Sequence, residues 1–386
     1  MTHPTLERWN REEPAFDVAR GFAAVRGATV WLVGGAVRDA LMGRPTKDFD
    51  FVVGGLSAAD LERELRRLGE VSLVGRSFGV FKLKLGDDEV DVALPRRETY
   101  AMTGGARDVE AQSDPAMPIE KDLARRDFTI NAMAWNSTTH ELVDPHGGQK
   151  DLIARRLRAV GEADERFRED YSRMLRGLRF AAQLGFEFEP STWNALRARM
   201  PRINDEHDGR RLVPHELVAR ELLKSLAADP EQAAWLWVNA EAVEQIAPEL
   251  GERWPDAVRT AQLRLEEPDV ARVLNERSVP DSVRLGVCFA HLGALHGAEL
   301  AERLKLASAG FGVDAEMIRK LAGSDISFYR ALGARALVGG VEIMHLLDLR
   351  PGTAVGRLMD LLILAQGQGK VARREDAIEY LMSLRA

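Results

Sequence analysis

The 386-residue chain is 45% apolar and 29% charged, the profile of a globular protein of two to four domains, which excludes a disordered or collagen-like chain. Lysine and arginine total 53 against 60 acidic residues, a net charge of −7 that argues against a generally sticky nucleic-acid binder but not against a local basic patch. The single cysteine, Cys288, excludes a disulfide framework and a cysteine zinc cluster; with no signal-peptide pattern and no apolar run of roughly 20 residues, the expectation is a cytoplasmic protein free of the membrane.

In chain order, Thr29 to Val33 is a short apolar run that ends at Gly34-Gly35, a strand turning into a helix that begins near Ala36. Asp48 to Val53 is a second strand, whose alternation puts Asp48 and Asp50 on one face and Phe49 and Phe51 on the other. Phe81 to Leu85 and Val90 to Leu94 read as a hairpin around Gly86-Asp87-Asp88, with Asp91 opposite in facing to Val90 and Val92. Pro95 to Pro118 is a long polar stretch without a clear period, and loops of that length are usually functional or mobile. Ala132 to Trp135 and Glu141 to Asp144 predict one more hairpin. From Asp151 onward the spacing is helical, with breaks at Gly185 to Pro190, Asn204 to Pro214, Pro248 to Pro255, Pro280 and Arg350-Pro351-Gly352. The expectation is an α/β head on a long helical body.

Two aspartates at i and i+2 on a strand, Asp48 and Asp50, aim hard oxygen ligands the same way and suit Mg²⁺, with Asp91 on a separate strand as a third carboxylate. Taken alone, such a pair is usually a solvated strand face. The context is more informative: Gly34 and Gly35 open a helix whose first turn carries Arg38, so backbone N–H groups and a guanidinium can converge on a phosphate. Neither a Walker loop nor a dinucleotide fingerprint occurs. His140, His146, His207 and His215 match no metal spacing, and Trp135, Trp235 and Trp237 read as packing residues rather than stacking platforms.

Leu32-Val-Gly-Gly-Ala-Val-Arg-Asp39, Gly43 and Asp48-Phe-Asp50 together resemble the first motif of class II tRNA nucleotidyltransferases, the CCA-adding enzymes and bacterial poly(A) polymerases. Three more motifs follow in order: Arg125-Arg126-Asp127-Phe-Thr-Ile-Asn131, Asp144-Pro-His-Gly-Gly-Gln-Lys-Asp151, and Glu169-Asp170-Tyr-Ser-Arg173-Met-Leu-Arg176-Gly-Leu-Arg179. The resemblance is strong over Trp31 to Phe186 and looser at His215 to Lys224 and from Pro351 onward; at Tyr171-Ser172 many relatives carry Pro-Leu.

The resemblance implies a DNA polymerase β-like α/β head over residues 1–150, then an all-α elongated neck over 151–225, body over 226–310 and tail over 311–386 that binds tRNA. It implies a cytoplasmic Mg²⁺-dependent enzyme that adds CCA to tRNA 3′ ends from CTP and ATP and releases pyrophosphate, with no protein partner. Asp48, Asp50 and Asp91 would be catalytic and hold the metal; Gly34, Gly35, Arg38, Arg126, Asp127, Asp170, Arg173, Arg176 and Arg179 would bind the nucleotide. A row of Asp170, Arg173, Arg176 and Arg179 at every third position forms a slowly drifting stripe on one helical face. An Asp that accepts from an exocyclic amine beside an Arg that donates to a ring nitrogen matches C and A and mismatches U and G. The alternative for this row is an exposed ion-pair face. Arg155, Arg156, Arg158, Arg166 and Arg168 form a basic segment able to hold the acceptor end of tRNA. Rival readings are A-only or CC-only addition, poly(A) synthesis, and an inactive RNA- or nucleotide-binding module. The presence of the Pro95 to Pro118 stretch, which CC-only relatives largely lack, makes CC-only addition the weakest, and the stretch's length and lack of periodicity predict a mobile loop needed mainly for the final A.

Overall fold

The computed structural model describes residues 3–74, 80–86, 88–106, 108–246, 336–349, 353–367 and 370–384. The expected body beyond residue 246, its breaks at Pro248 to Pro255 and Pro280, the Arg350-Pro351-Gly352 break and Cys288 lie outside the described residues. The chain divides into two compact units, Met1–Leu212 and Val213–Ala386.

The first unit opens with helices α1 (Pro4–Glu12) and α2 (Asp17–Phe22), followed by β1 (Thr29–Val33), α3 (Gly35–Leu41), β2 (Asp50–Gly54), α4 (Ala58–Leu65), β3 (Glu70–Val74), β4 (Val80–Leu85) and β5 (Asp88–Ala93). Next come β6 (Arg96–Tyr100), β7 (Val109–Ser113), α5 (Ile119–Ala124), β8 (Ala134–Asn136), β9 (Leu142–Val143), α6 (Gly148–Ile153), β10 (Arg156–Leu157), α7 (Ala163–Glu169), α8 (Ser172–Leu184), β11 (Glu187–Phe188) and α9 (Pro190–Arg199). A seven-stranded sheet runs in the order β3-β4-β5-β2-β1-β8-β9, in which β2 and β5 pair in parallel and their neighbours pair antiparallel.

Both faces of this sheet are covered, which is why its central strands are apolar runs rather than strict alternations. On one face Leu32, Phe49, Phe51, Val53, Val90 and Val92 join Leu6, Trp9 and Phe16 in the main core. Edge-to-face rings knit it: Trp9 to Phe49 at 5.5 Å, Phe16 to Phe51 at 5.3 Å and Phe16 to Trp135 at 6.2 Å. On the other face a smaller cluster of Val33, Val52, Ala134 and Val160 receives Ile119 and Leu123 of α5. Asp50 and Asp91 share that second face, because Phe51 and Val92 beside them point to the main core. The expected alternation therefore holds, although the hydrogen-bonded strand begins at Asp50 and Asp48 lies in the segment before it.

The stretch from Pro95 to Pro118 is not aperiodic. It folds into its own antiparallel hairpin, Arg96 opposite Ser113 through Tyr100 opposite Val109, with half-buried residues at every second position. Its inward side chains are Arg96, Glu98 and Tyr100, so a polarity-based reading of alternation sees no hydrophobic period. Trp135 and Trp237 are buried as packing residues, whereas Trp235 is 59% exposed.

In the second unit, α10 (His215–Ala228), α11 (Pro230–Asn239) and α12 (Ala242–Ile246) are followed, among the described residues, by α13 (Gly340–Leu347), α14 (Thr353–Gly367) and α15 (Arg374–Ser383). Trp237 donates its indole N–H to Ser225 Oγ at 3.4 Å across α10 and α11, and Ile343, Leu362 and Leu381 form a core for the last three helices. No described helix is long and apolar enough to cross a membrane.

Helix α9, which braces α7, starts at Glu189, whose carboxylate accepts the Thr192 backbone N–H at 2.9 Å. Burial opposes that charge, but hydrogen bonds from Ser191 and Thr192 outweigh it and hold the carboxyl at about 2. A depressed carboxyl stabilises the fold above its unfolded value, about 4.3, and loses that contribution as pH falls through about 2. Glu189→Gln should therefore lower the unfolding free energy by about 1 kcal/mol at pH 7, and urea titrations should show the gap closing below about pH 4. A gap that stays constant down to acid pH would contradict the assignment.

Candidate active site

Asp50 begins β2 and stands in parallel register with Asp91 of β5, while the Asp91 N–H donates to Phe49 O at 3.3 Å. Main-chain pairing thus fixes the two carboxylates side by side. Asp48 is exposed just ahead of them. Desolvation in this crowded corner pushes the Asp50 carboxyl above its ordinary value; Arg126 opposes the push, and Asp91 and Asp48 add to it. Lys82, opposite Asp91 on β4, holds Asp91 Oδ1 at 3.0 Å and Glu89 Oε1 at 2.7 Å. Among the described residues no three His, Cys, Asp or Glu side chains are already gathered tightly enough to enclose a metal ion. The donor chemistry nevertheless fits a hard divalent cation: an all-oxygen set whose members repel one another until a cation neutralises them.

Gly34, between β1 and α3, takes φ 73° and ψ −135°, a conformation L side chains rarely adopt. A Cβ there would lie 2.8 Å from Arg126 Nη1 and 3.7 Å from Asp50 Oδ2, so the missing side chain is what lets Arg126 approach the carboxylates. Arg126 donates weakly to Asp122 Oδ2 at 3.4 Å, and its Nε is buried without an acceptor. An unfilled guanidinium donor beside a carboxylate pair is a place for an anionic oxygen such as a phosphate. Gly35 packs its bare Cα near the Arg38 guanidinium. Arg38 itself is tied down, with Nε and Nη2 on Asp39 at 2.9 and 3.0 Å and Nη1 on Asn131 Oδ1 at 2.8 Å.

Asp127 links this corner to α8. Its Oδ2 accepts from Arg176 Nε and Nη2 at 2.9 and 2.6 Å, and its Oδ1 accepts from Phe128 N at 2.8 Å and Asn131 Nδ2 at 3.2 Å. Burial alone would raise this carboxyl, but Arg176 and the hydrogen bonds hold it well below the usual carboxylate range. The Phe180 ring collects three guanidiniums, those of Arg179 at 4.0 Å, Arg38 at 5.4 Å and Arg176 at 5.5 Å. Arg176, Arg179 and Arg38, expected as separate nucleotide contacts, thus meet around one ring.

The expected single stripe is broken at its first member. Asp170 lies outside the helix, with φ −156° between α7 and α8, and its Oδ1 accepts the Ser172 N–H at 2.8 Å. Burial raises its carboxyl, with Ser172 and Arg173 opposing. Arg173 is 5% exposed and does not hydrogen bond to Asp170 through its side chain. Its Nη1 donates to Glu169 Oε2 at 2.6 Å and Arg166 O at 3.3 Å, and its Nη2 to Tyr100 OH at 2.8 Å and Arg125 O at 3.3 Å. The physical reason is the chain break at Asp170: the two side chains are not on successive turns of one helix.

The basic segment is largely committed to structure as well. Arg158 pairs with Asp151 at 3.1 Å, Arg166 with Glu169 at 2.8 Å, and Arg155 donates to Gly185 O at 3.3 Å, while Arg156 and Arg168 remain exposed. The sequence assigns no role to Asp122, Asn131, Glu98 or Tyr100, although Asn131 lies within the second motif. Asp122 is fully buried, binds Arg125 at 2.8 Å, and stands three and four residues ahead of Arg125 and Arg126, a helical spacing that was available as a signal. Glu98 bonds Arg125 at 2.6 Å, Arg96 at 2.8 Å and the Tyr100 hydroxyl at 2.7 Å.

Residues 30–158 match the Poly A polymerase head domain family. The Multifunctional CCA protein of Stenotrophomonas maltophilia (strain R551-3) is 38% identical over 257 residues, 65% of this chain and 58% of that protein, so the chain matches less than two thirds of its relative's length. Among solved structures, a tRNA-processing enzyme in apo form I gives a TM-score of 0.56 at 26% identity, covering 97% of this chain and 92% of that one. A CCA-adding enzyme in complex with CTP gives 0.61 at 19% identity, covering 100% and 99%, a likeness of fold. Over residues 30–158 the sheet-bearing unit thus matches the Poly A polymerase head domain family, and the fold is like that of the CCA-adding enzymes.

Proposed function

We propose that this protein is a tRNA nucleotidyltransferase that adds CCA to the tRNA 3′ end from CTP and ATP. The observation that carries the reading is the convergence of Asp50, Asp91, Gly34 and the unfilled Arg126 donor on one corner of the sheet. The reaction joins an RNA 3′-oxygen to the α-phosphorus, breaks the bond from that phosphorus to the bridging oxygen, and releases pyrophosphate. Asp48, Asp50 and Asp91 would hold Mg²⁺, which when bound lowers the hydroxyl's pKa and stabilises the leaving oxygen. Arg126 and the Gly34-Gly35 turn, whose Gly34 N–H itself donates to Met133 O at 3.3 Å, would receive the triphosphate, and Arg38, clamped by Asp39 and Asn131, would set the shape of that pocket. Asp127 would act indirectly, by fixing Arg176 and Asn131.

For base choice, Asp170 would accept from the exocyclic amine of C or A while Arg173 donates to the ring nitrogen. Arg176 and Arg179 would support the base and sugar from the Phe180 ring. Uracil and guanine turn a carbonyl and a ring N–H toward the same two groups, leaving both unmatched. The exposed Arg156 and Arg168 would contact RNA phosphates.

The direct test gives the protein three tRNA transcripts, ending before CC, after C or after CC, with CTP or ATP separately. CCA addition predicts CTP use on the first two and ATP use on the third; ATP use alone would identify an A-adding enzyme, and long A tails a poly(A) polymerase. Asp50→Ala should lower incorporation by about 100-fold or more while the circular dichroism spectrum stays native, and near-normal turnover in the folded variant would sink the carboxylate assignment. Asp170→Ala should shrink the preference for CTP over UTP in kcat/KM by about 1–3 kcal/mol. An unchanged ratio would place base selection elsewhere.

A further inference from the structure

Arg173 raises a problem for base selection that the hairpin β6–β7 resolves. All of its Nη donors are taken, by Glu169, the Arg166 and Arg125 carbonyls, and the Tyr100 hydroxyl, and the group is almost wholly buried. To donate to a base through its Nη fork it must give up an acceptor. Glu169 is charged and close, at 2.6 Å, and the two carbonyls are main-chain atoms of neighbouring segments. Tyr100 OH is the neutral side-chain acceptor of the four, and it belongs to a hairpin that is not part of the main sheet. The Arg173 guanidinium also lies 5.2 Å from the centre of the Tyr100 ring.

The hydroxyl is held in place from behind. Tyr100 OH donates to Glu98 Oε2 at 2.7 Å, and Glu98 in turn is bound by Arg96 and Arg125. A hydroxyl that donates to a carboxylate becomes a better acceptor, so Glu98 strengthens the grip on Arg173. The hairpin end is seated on the same segment by a second contact: the Tyr171 N–H donates to Gly104 O at 2.9 Å. Gly104 has φ +93°, and a Cβ there would sit 2.1 Å from the Tyr171 ring. A proline at 171, as many relatives carry, could not donate that hydrogen bond.

We propose that Tyr100 is a positioning residue for base selection: its hydroxyl stands in for the ring nitrogen of cytosine or adenine, and Arg173 exchanges one for the other when the nucleotide arrives. The inference rests on the nucleotidyltransferase reading with Asp170 and Arg173 as the base-reading pair. A standing internal competitor lowers apparent affinity by the fraction of time it holds Arg173. Removing it should therefore tighten binding of a base that offers an acceptor and leave unchanged a base that offers an N–H.

The experiment measures equilibrium binding of CTP and UTP with Mg²⁺ to the full chain, in wild type, Tyr100→Phe and Glu98→Gln. Tyr100→Phe should lower the Kd for CTP about two- to tenfold, the worth of one hydrogen bond, with the UTP Kd unmoved. Glu98→Gln keeps the hydroxyl but weakens its grip, and should shift CTP the same way by less, which tests the idea if Tyr100→Phe fails to fold. Equal tightening or loosening for both nucleotides, or an unchanged CTP Kd in folded variants, would overturn the proposal while leaving the enzyme reading intact. A wild-type protein that binds CTP and UTP alike would instead remove the base-reading pair itself.

Discussion

The buried Asp127 carboxylate is the junction on which the site depends. It faces Arg176 from α8, Asn131 from the segment before β8, and its own chain at Phe128, and each partner serves a second element. Asn131 passes the constraint to Arg38 beside the glycine pair. A buried charge of this kind is tolerable only because every strong acceptor direction is filled. The helix carrying Arg173 to Arg179 and the turn carrying Gly34 are thereby referred to one common point. Without it, the helix and the glycine turn would be two surfaces with no fixed spacing.

Net charge conceals how the arginines are used. The chain is acidic overall, yet Arg38, Arg125, Arg158, Arg166, Arg173 and Arg176 are each paired with a carboxylate. Arginine suits this work because its planar fork gives fixed directions and keeps its charge when buried. Most of these guanidiniums organise the site rather than attract RNA over distance. Arg126 is paired as well, with Asp122 at 3.4 Å, but its Nε has no partner.

Much of this was legible in the sequence, and the limits have physical causes. Alternation sets Asp50 apart from Phe49 and Phe51, and Asp91 apart from Val90 and Val92, because two-residue periodicity survives wherever one face is buried; only the strand pairing puts the two acids on one face. Gly34 stands out in the sequence as half of a glycine pair between a strand and a helix, and the structure adds that only glycine allows Arg126 so close. The hairpin at 96–113 was read as irregular because its inward residues are charged and aromatic, and their burial rests on ion pairs invisible to a hydropathy pattern. Asp170 was assigned to a helix face because three-residue spacing continues through it, while the break there depends on the Ser172 N–H that its side chain captures. Spacing along the chain shows which groups share a face; it does not show whether a donor has already been taken.

The parallel pairing of β2 and β5 carries a further consequence. Asp50 and Asp91 are brought together by strand register, with β3, β4 and α4 interposed along the chain, so their separation does not depend on any one turn. A slip of one residue would point Asp91 at the aromatic core and push Val90 or Val92 into solvent. Misregistered chains would bury a bare carboxylate and lose apolar contacts at the same time, two penalties of the same sign. Folding thus proofreads the chemistry: the alignment that closes the core is also the alignment that assembles the acids.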